Sequence, residues 1–270
     1  MQTALLSWPP KERGDVRFLA RPFAAACADL NIDFAAAPRI ALVTDLLSLC
    51  LQRPSGDPLS ADYAWGWSVA ERLQGLLAIA HASNGPMAHA MATCSHRDCA
   101  GQIEMDLGLD AFASAELTML EWCSPEGKHV RLRLPNGRDL AAWQTRLESD
   151  ATDAEAWLAN LLIESIDGDA PTDNQQLPMH WLAPLAAALD RADPLTALTL
   201  QLPCPFCDRI VQVEVDLELL LLDGLRSRQA RLTDEIHQLA AHYHWSEAEI
   251  VALPAWRRQR YIARLRAELA

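Results

Sequence analysis

The sequence predicts an α+β, helix-rich fold in which two cysteine-bearing β-hairpins lie between an N-terminal helical region and a C-terminal helical module. Three observations carry this prediction. Apolar residues recur every three or four positions near both ends of the chain, the spacing of helices that pack by one face. Short central stretches alternate apolar and polar residues, the period of half-exposed strands. A cysteine turn followed by Gln-x-Glu-x-Asp-Leu occurs twice.

Taken in order, residues 1–37 hold scattered prolines and short alanine runs, and the one element predicted there is a helix over Phe18 to Leu30. From Pro38, residues Ile40, Val43, Leu46, Leu47 and Cys50 fall at helical spacing, with proline accepted in the first turn. Pro54, Ser55 and Gly56 break that helix. Ser60 or Asp62 then caps a second one with Trp65, Val69, Leu73 and Leu76 on its apolar side, ended by Gly85 and Pro86. A β-leaning region runs from Met87 to Leu134, where Val130, Leu132 and Leu134 alternate with Arg131 and Arg133 before Asn136 and Gly137 interrupt. Helices are predicted over Leu140 to Leu147, Ala154 to Ile166 and Pro178 to Ala192, with a loop or linker from Asp167 to Gln176. A strand over Leu195 to Leu202 leads into the second cysteine pair, and after Val215 the pattern is helical almost to the end. The chain thus divides into residues 1–85, residues 86–215 with the duplicated cysteine platform and its inserted helices, and residues 216–270.

With Cys94 set on Cys204, Gln102, Glu104, Asp106, Leu107 and Leu109 match Gln212, Glu214, Asp216, Leu217 and Leu219 without a gap. Ile103 and Met105 match Val213 and Val215, so each copy puts one strand face in a core and one in water. Two copies at so long a period indicate a duplication or two equivalent hairpins, not a solenoid. The cysteine spacings differ. The second copy, Cys204-Pro-Phe-Cys207, has the form of a zinc knuckle, and the first, Cys94-Ser-His-Arg-Asp-Cys99, is a looser Cys-x4-Cys. Facing each other, the two turns supply four thiolates, a closed tetrahedral set for one structural zinc in a zinc-ribbon-like arrangement. His96 is an alternative ligand, and reduced cysteines without metal are the competing reading. Cys27, Cys50 and Cys123 are expected to pack as small apolar residues.

Bulk properties limit the function classes. The chain carries 23 basic and 36 acidic residues, a net charge of −13 that repels phosphate backbones and anionic membrane faces. Neither nucleic acid nor membrane is an expected partner. From Asp223 onward, however, eight Arg stand against six acidic residues, so this stretch alone is near +2. Met1 to Gly14 lacks the basic start and apolar run of a secretory signal, and no apolar run approaches the roughly 20 residues that cross a bilayer. With seven cysteines, an odd number, free thiols or metal ligands in a reducing, cytoplasmic compartment are expected.

Enzyme signatures fail on inspection. Pro203-Cys204-Pro-Phe-Cys207 satisfies half of the zinc deaminase pattern, but no histidine is followed by the required x-Glu. His-Glu-x-x-His, Gly-x-Gly-x-x-Gly and the phosphate-binding loop are absent. Gly66-Trp-Ser68 begins like a nucleophile elbow, yet Ala70 replaces the second glycine, and Ser68 reads as an ordinary helix residue. Of His237, His242 and His244, the first is expected to border the core and the others to sit near a helix end.

Trp245-Ser246-Glu247-Ala248-Glu249-Ile250 is a helix-start signature, with Ser246 and Glu249 as capping box and Trp245 stapled onto Ile250. Leu253 and Pro254 punctuate it. Trp256 to Leu269 then forms a helix with five Arg and an apolar side of Tyr261, Ile262, Leu265 and Leu269. Trp256, Arg257, Arg258, Arg260 and Tyr261 are residue types common at interface hot spots and are the predicted partner-binding set.

Several of these motifs in this order resemble one family. Asp193-Pro194-Leu195, Leu202-Pro-Cys204-Pro-Phe-Cys207, Glu235-Ile-His237-Gln-Leu-Ala and Tyr243-His-Trp245-Ser246-Glu247, followed by an Arg-rich helix, are similar to the T4-type phage baseplate hub assembly chaperones. Val130-Arg-Leu-Arg-Leu-Pro-Asn-Gly-Arg-Asp139 resembles that family's strand and turn, so the likeness covers about half the chain, from near Val130 to the end. Residues 1–85 lie outside it, and Asp208 stands where a zinc knuckle normally has glycine. The resemblance implies a non-enzymatic assembly factor or minor component of a contractile tail or injection-system baseplate. Its implied partners are hub or spike proteins, and it implies incorporation into a phage-like particle as one outcome. A zinc-ribbon regulator contacting nucleic acid and a zinc-dependent enzyme are the alternatives.

Overall fold

The computed structural model describes residues 5–113, 119–149, 152–172 and 176–269. The chain begins with two short strands, Leu6–Trp8 (β1) and Phe18–Ala20 (β2), which join Leu51–Gln52 (β3) in an antiparallel sheet of order β1-β2-β3. The helix predicted over Phe18 to Leu30 does not form. Pro22 interrupts it, and the fully buried Asp29 carboxylate accepts the backbone N–H groups of Ala25 and Ala26 together with the Arg21 guanidinium. A side chain that captures backbone donors in this way competes with helix formation, and only a 3-10 turn at Cys27–Asn31 remains.

Helix Arg39–Cys50 (α1) follows as expected. The second predicted helix is two, Ala61–Gly66 (α2) and Val69–Asn84 (α3), because Ser68 ends one and caps the next. Its hydroxyl accepts the Glu71 N–H while the Glu71 carboxylate accepts the Ser68 N–H, so Ser68 is a capping-box residue and not a mid-helix one. Gly85, at φ 94, closes α3 in a conformation that glycine adopts without a Cβ penalty. Leu73, Leu76, Leu77 and Ile79 of α3 are buried, and the helix packs against α1 on one side.

Two hairpin strands, Met87–Thr93 (β4) and Gln102–Gly108 (β5), form the first cysteine unit. Met119–Cys123 (β6), His129–Arg133 (β7) and Ile163–Ile166 (β8) make a second three-stranded sheet. The helix predicted over Ala154 to Ile166 therefore stops at Leu162 (Ala154–Leu162, α5), and its last four residues become strand. A register shift between Arg131 and Leu132 lets both Ile163 and Ile166 be buried although they lie three residues apart. Gly137–Glu148 (α4) and Met179–Ala192 (α6) complete this part, with Trp181 and Leu185 of α6 in its core. The predicted loop begins with Asp167 at φ 53, and residues 173–175 of it lie outside the described residues. Thr199–Pro203 (β9) starts four residues later than predicted and pairs with Ile210–Glu214 (β10) as the second cysteine hairpin.

The chain ends in Leu217–Tyr243 (α7), Glu247–Ala252 (α8) and Ala255–Leu269 (α9). Packing cuts across the sequence division. Leu217, Leu221, Leu222, Leu225 and Leu232 of α7 lie in the same buried core as α1 and α3, whereas Leu239, Ile250, Ile262 and Leu265 form a small core of their own. His237 does not border a core; it is exposed, as is Cys123, which was expected to pack. No helix among the described residues is long and apolar enough to cross a membrane.

Candidate metal centre

Each cysteine pair sits in the turn of an antiparallel hairpin, and the two turns face each other. Cys94, Cys99, Cys204 and Cys207 place their sulfurs within 4.8 Å of one another. The closest approaches cross between hairpins, 3.9 Å from Cys94 to Cys207 and 3.7 Å from Cys99 to Cys204. A tetrahedron of zinc–sulfur bonds of about 2.3 Å has edges of about 3.8 Å, so the thiols stand at coordination distance from a common centre. All four are free cysteines. His96, the alternative ligand, turns its ring outward to the Ile210 carbonyl at 3.3 Å, so the turn contributes sulfur only.

The backbone around the sulfurs is shaped for anions. The N–H groups of His96, Gly101 and Arg209 point to the sulfurs of Cys94, Cys99 and Cys207, in each case from two residues further on. Such hydrogen bonds fix a thiolate's direction and disperse its charge, the usual support around a metal-bound sulfur. In both units the N–H of the first cysteine closes the turn at 2.9 Å, Cys94 onto the Gly101 carbonyl and Cys204 onto the Arg209 carbonyl. The residue after the second cysteine is left-handed in both, Ala100 at φ 46 and Asp208 at φ 55. Aspartate tolerates this region better than most side chains, which is how Asp208 stands where glycine is usual. Gly101 is required for a different reason: a Cβ there would clash with the Phe206 ring of the opposite turn.

These shared features correct the alignment. Counted from the second cysteine, Gln102 corresponds to Ile210, not Gln212, because the first turn is two residues longer. A two-residue offset preserves the alternation of faces, so both registers bury the same side of the strand. It also brings together Leu109 and Leu217, each 1% exposed and each opening a helical turn. Asp216 thereby acquires a role its sequence match Asp106 lacks. It accepts the Leu219 N–H as cap of α7 and binds Arg39 of α1 at 2.7 Å, whereas Asp106 lies in mid-strand beside His89.

Electrostatics explain why the cluster suits a cation. Arg209's N–H favours the Cys207 thiolate over the opposition of burial, and its pKa falls to about 6. The His96 N–H favours the Cys94 thiolate too, but burial and hydrogen bonds with the other thiols outweigh it and push Cys94 up to about 12. Cys99 is raised as well, with the Gly101 N–H opposed by burial and by Cys204 and Cys207. Four adjacent thiols therefore lack the positive charge that would let all ionise, and a metal ion held among them would supply it. Four protein ligands to one tetrahedral ion would fill its coordination sphere and staple the two hairpins together.

Comparison of the chain with known protein families, curated proteins and solved structures finds no match in any of the three. Its functional residues must be read from its own geometry.

Of the predicted partner-binding residues, Trp256, Arg257, Arg260 and Tyr261 do line one shallow cleft on α9, joined by Ala263 and Arg264. Arg258 does not. It is 9% exposed and points inward, bonding Glu235 at 2.6 Å and the Leu253 carbonyl at 2.6 Å. Helical spacing decides this, since Arg258, Ile262 and Leu265 share the face that packs on α7. The sequence reading missed Arg264, which follows Arg257 and Arg260 at seven and four residues. It also missed Arg72, 2% exposed, which bonds the carbonyls of Ala64 and Ile40 and ties α2 and α1 to α3.

Proposed function

We propose that the four thiolates bind one zinc ion and that the protein is a non-enzymatic assembly factor or minor component of a contractile, phage-like baseplate. The observation that carries the zinc reading is the donor set itself: four sulfurs at tetrahedral spacing, three of them receiving backbone N–H groups. A closed thiolate site favours a structural ion over a catalytic one. The hairpins then act as a platform, and α9 offers hub or spike proteins a face of Trp256, Arg257, Arg260 and Tyr261. The baseplate assignment is supported by the ordered motifs from Val130 to the C-terminal helix. A cytoplasmic place of action, with or without retention in the particle, belongs to the same reading.

Two measurements test it. Metal analysis of protein purified without chelators is expected to give about one zinc per chain, and protein free of zinc would refute the ion. Affinity capture from cells expressing a complete contractile gene cluster is expected to recover hub or spike proteins. Recovery of none of them, with salt-sensitive nucleic-acid binding instead, would favour the zinc-ribbon regulator.

A further inference from the structure

Helix α9 is two-faced. Ile262, Leu265 and Arg258 turn towards α7, and Trp256, Arg257, Arg260 and Arg264 turn to water. The outward arginines are not spent on ion pairs within the chain. Arg21, Arg39, Arg133, Arg138, Arg146 and the inward Arg258 each bind a carboxylate of this acid-rich chain. Arg257, Arg260 and Arg264 form no ion pair among the described residues, as other exposed arginines such as Arg53 and Arg97 do not; what sets the three apart is that they line one cleft together.

They are nonetheless held in place. The Arg260 guanidinium lies 5.0 Å over the Trp256 ring and that of Arg257 lies 5.8 Å over Tyr261. Tyr261 is itself fixed, packing edge-on against Trp245 at 5.0 Å and Tyr243 at 5.5 Å. Arg257 also donates one N–H to the Tyr261 hydroxyl at 3.3 Å, and a guanidinium held beside a ring keeps further N–H donors for a planar anion while its side chain loses less entropy on binding. Trp256, 59% exposed, adds a large apolar surface at the same spot.

We propose that this face binds an acidic, apolar-anchored segment of another protein, with carboxylates on Arg257, Arg260 and Arg264 and an apolar side chain against Trp256. The inference rests on α9 being the docking face, but not on the partner's being a baseplate protein. A peptide is favoured over nucleic acid by extent. The basic cleft lies on one helix, and beyond it the chain before Asp223 is near −15, which repels a polyanion running past the cleft but tolerates a short segment confined to it.

The test uses the full-length protein and three fluorescent probes followed by anisotropy: a Glu- and Leu-containing amphipathic peptide, the same peptide with Gln for Glu, and a single-stranded oligonucleotide. The acidic peptide is expected to bind, to weaken as salt rises, and to lose about tenfold or more in affinity with Arg257→Gln, Arg260→Gln and Arg264→Gln combined. Trp256→Ala is expected to weaken it without changing the salt dependence, which separates the apolar anchor from the charges. Circular dichroism checks that the variants, all at exposed positions, remain folded. No binding of the acidic peptide, equal binding of the Gln peptide, or tighter binding of the oligonucleotide would each overturn the proposal. Failure to capture hub or spike proteins from cells would refute the baseplate reading and leave this result standing.

Discussion

The frame formed by α1, α3 and α7 and the paired cysteine hairpins become rigid by different physics. The frame buries Leu46, Leu47, Leu76, Leu77 and Leu225 completely and needs nothing but its own side chains. The hairpins share a much smaller core of Ala90, Ile103, Met105, Leu107 and Val211 around the thiols, with their other strand faces in water. A lone two-stranded hairpin is marginal in water. Small units of this kind are commonly held by a metal or by disulfides, and here the thiols are free and gathered.

Removing the ion proposed for the thiol cluster tests this contrast most strongly. Chelation, or Cys204→Ser with Cys207→Ser, is expected to cost the hairpins most of a structural zinc site's stabilisation, about 10 kcal/mol or more. Hydrogen exchange should then accelerate across β4, β5, β9 and β10 while α1 and α3 stay protected; uniform loss of protection would mean that the two regions are one cooperative unit. Leu77→Ala should do the reverse, lowering global stability by about 3–5 kcal/mol in denaturant titrations while zinc content stays near one per chain.

The smallest effect lies at the junction. Arg39 holds the Asp216 carboxyl below its usual 3.8, so the unfolded chain binds the proton more readily and this contact stabilises the fold above about pH 4. The stabilisation is lost as pH falls through that value towards the lowered pKa. Both partners are partly exposed, and screening limits the contribution to about 0.5–1 kcal/mol. Asp216→Asn should therefore cost that much at pH 7 and progressively less as pH falls below about 4, measured by paired denaturant titrations. A cost near zero at pH 7 as well would show that Asp216 acts through capping alone, since asparagine still caps.

How much of this was legible depended on the range of the interaction. The α+β class, α1, the Ser246 capping box and the four clustered cysteines follow from local periodicity and spacing. What failed required tertiary knowledge. Strands as short as Leu6–Trp8 and Leu51–Gln52 show no alternation to read, and Asp29 disrupts a local helix pattern only because burial aims its carboxylate at Ala25 and Ala26. Ile163 to Ile166 continued a helical apolar pattern and became strand because β7 offered it an edge. Gapless matching concealed the longer first turn since an even offset leaves every face unchanged. Arg258 was chosen with its neighbours by residue type, whereas its helical phase sends it to Glu235.

Helix α7 is a spacer as well as a packing element. Its 27 residues begin three positions after β10, at the end of that hairpin away from the thiol turn, and end where α8 and α9 attach, a span of about 40 Å at 1.5 Å per residue. The base of the second hairpin and the arginine face are therefore set at a distance and in an angular phase dictated by backbone geometry. One residue added to the distal part of α7 would swing α9 by about 100°, and seven would nearly restore its bearing while moving it out by about 10 Å. Any partner that grips both ends would read that length as a ruler.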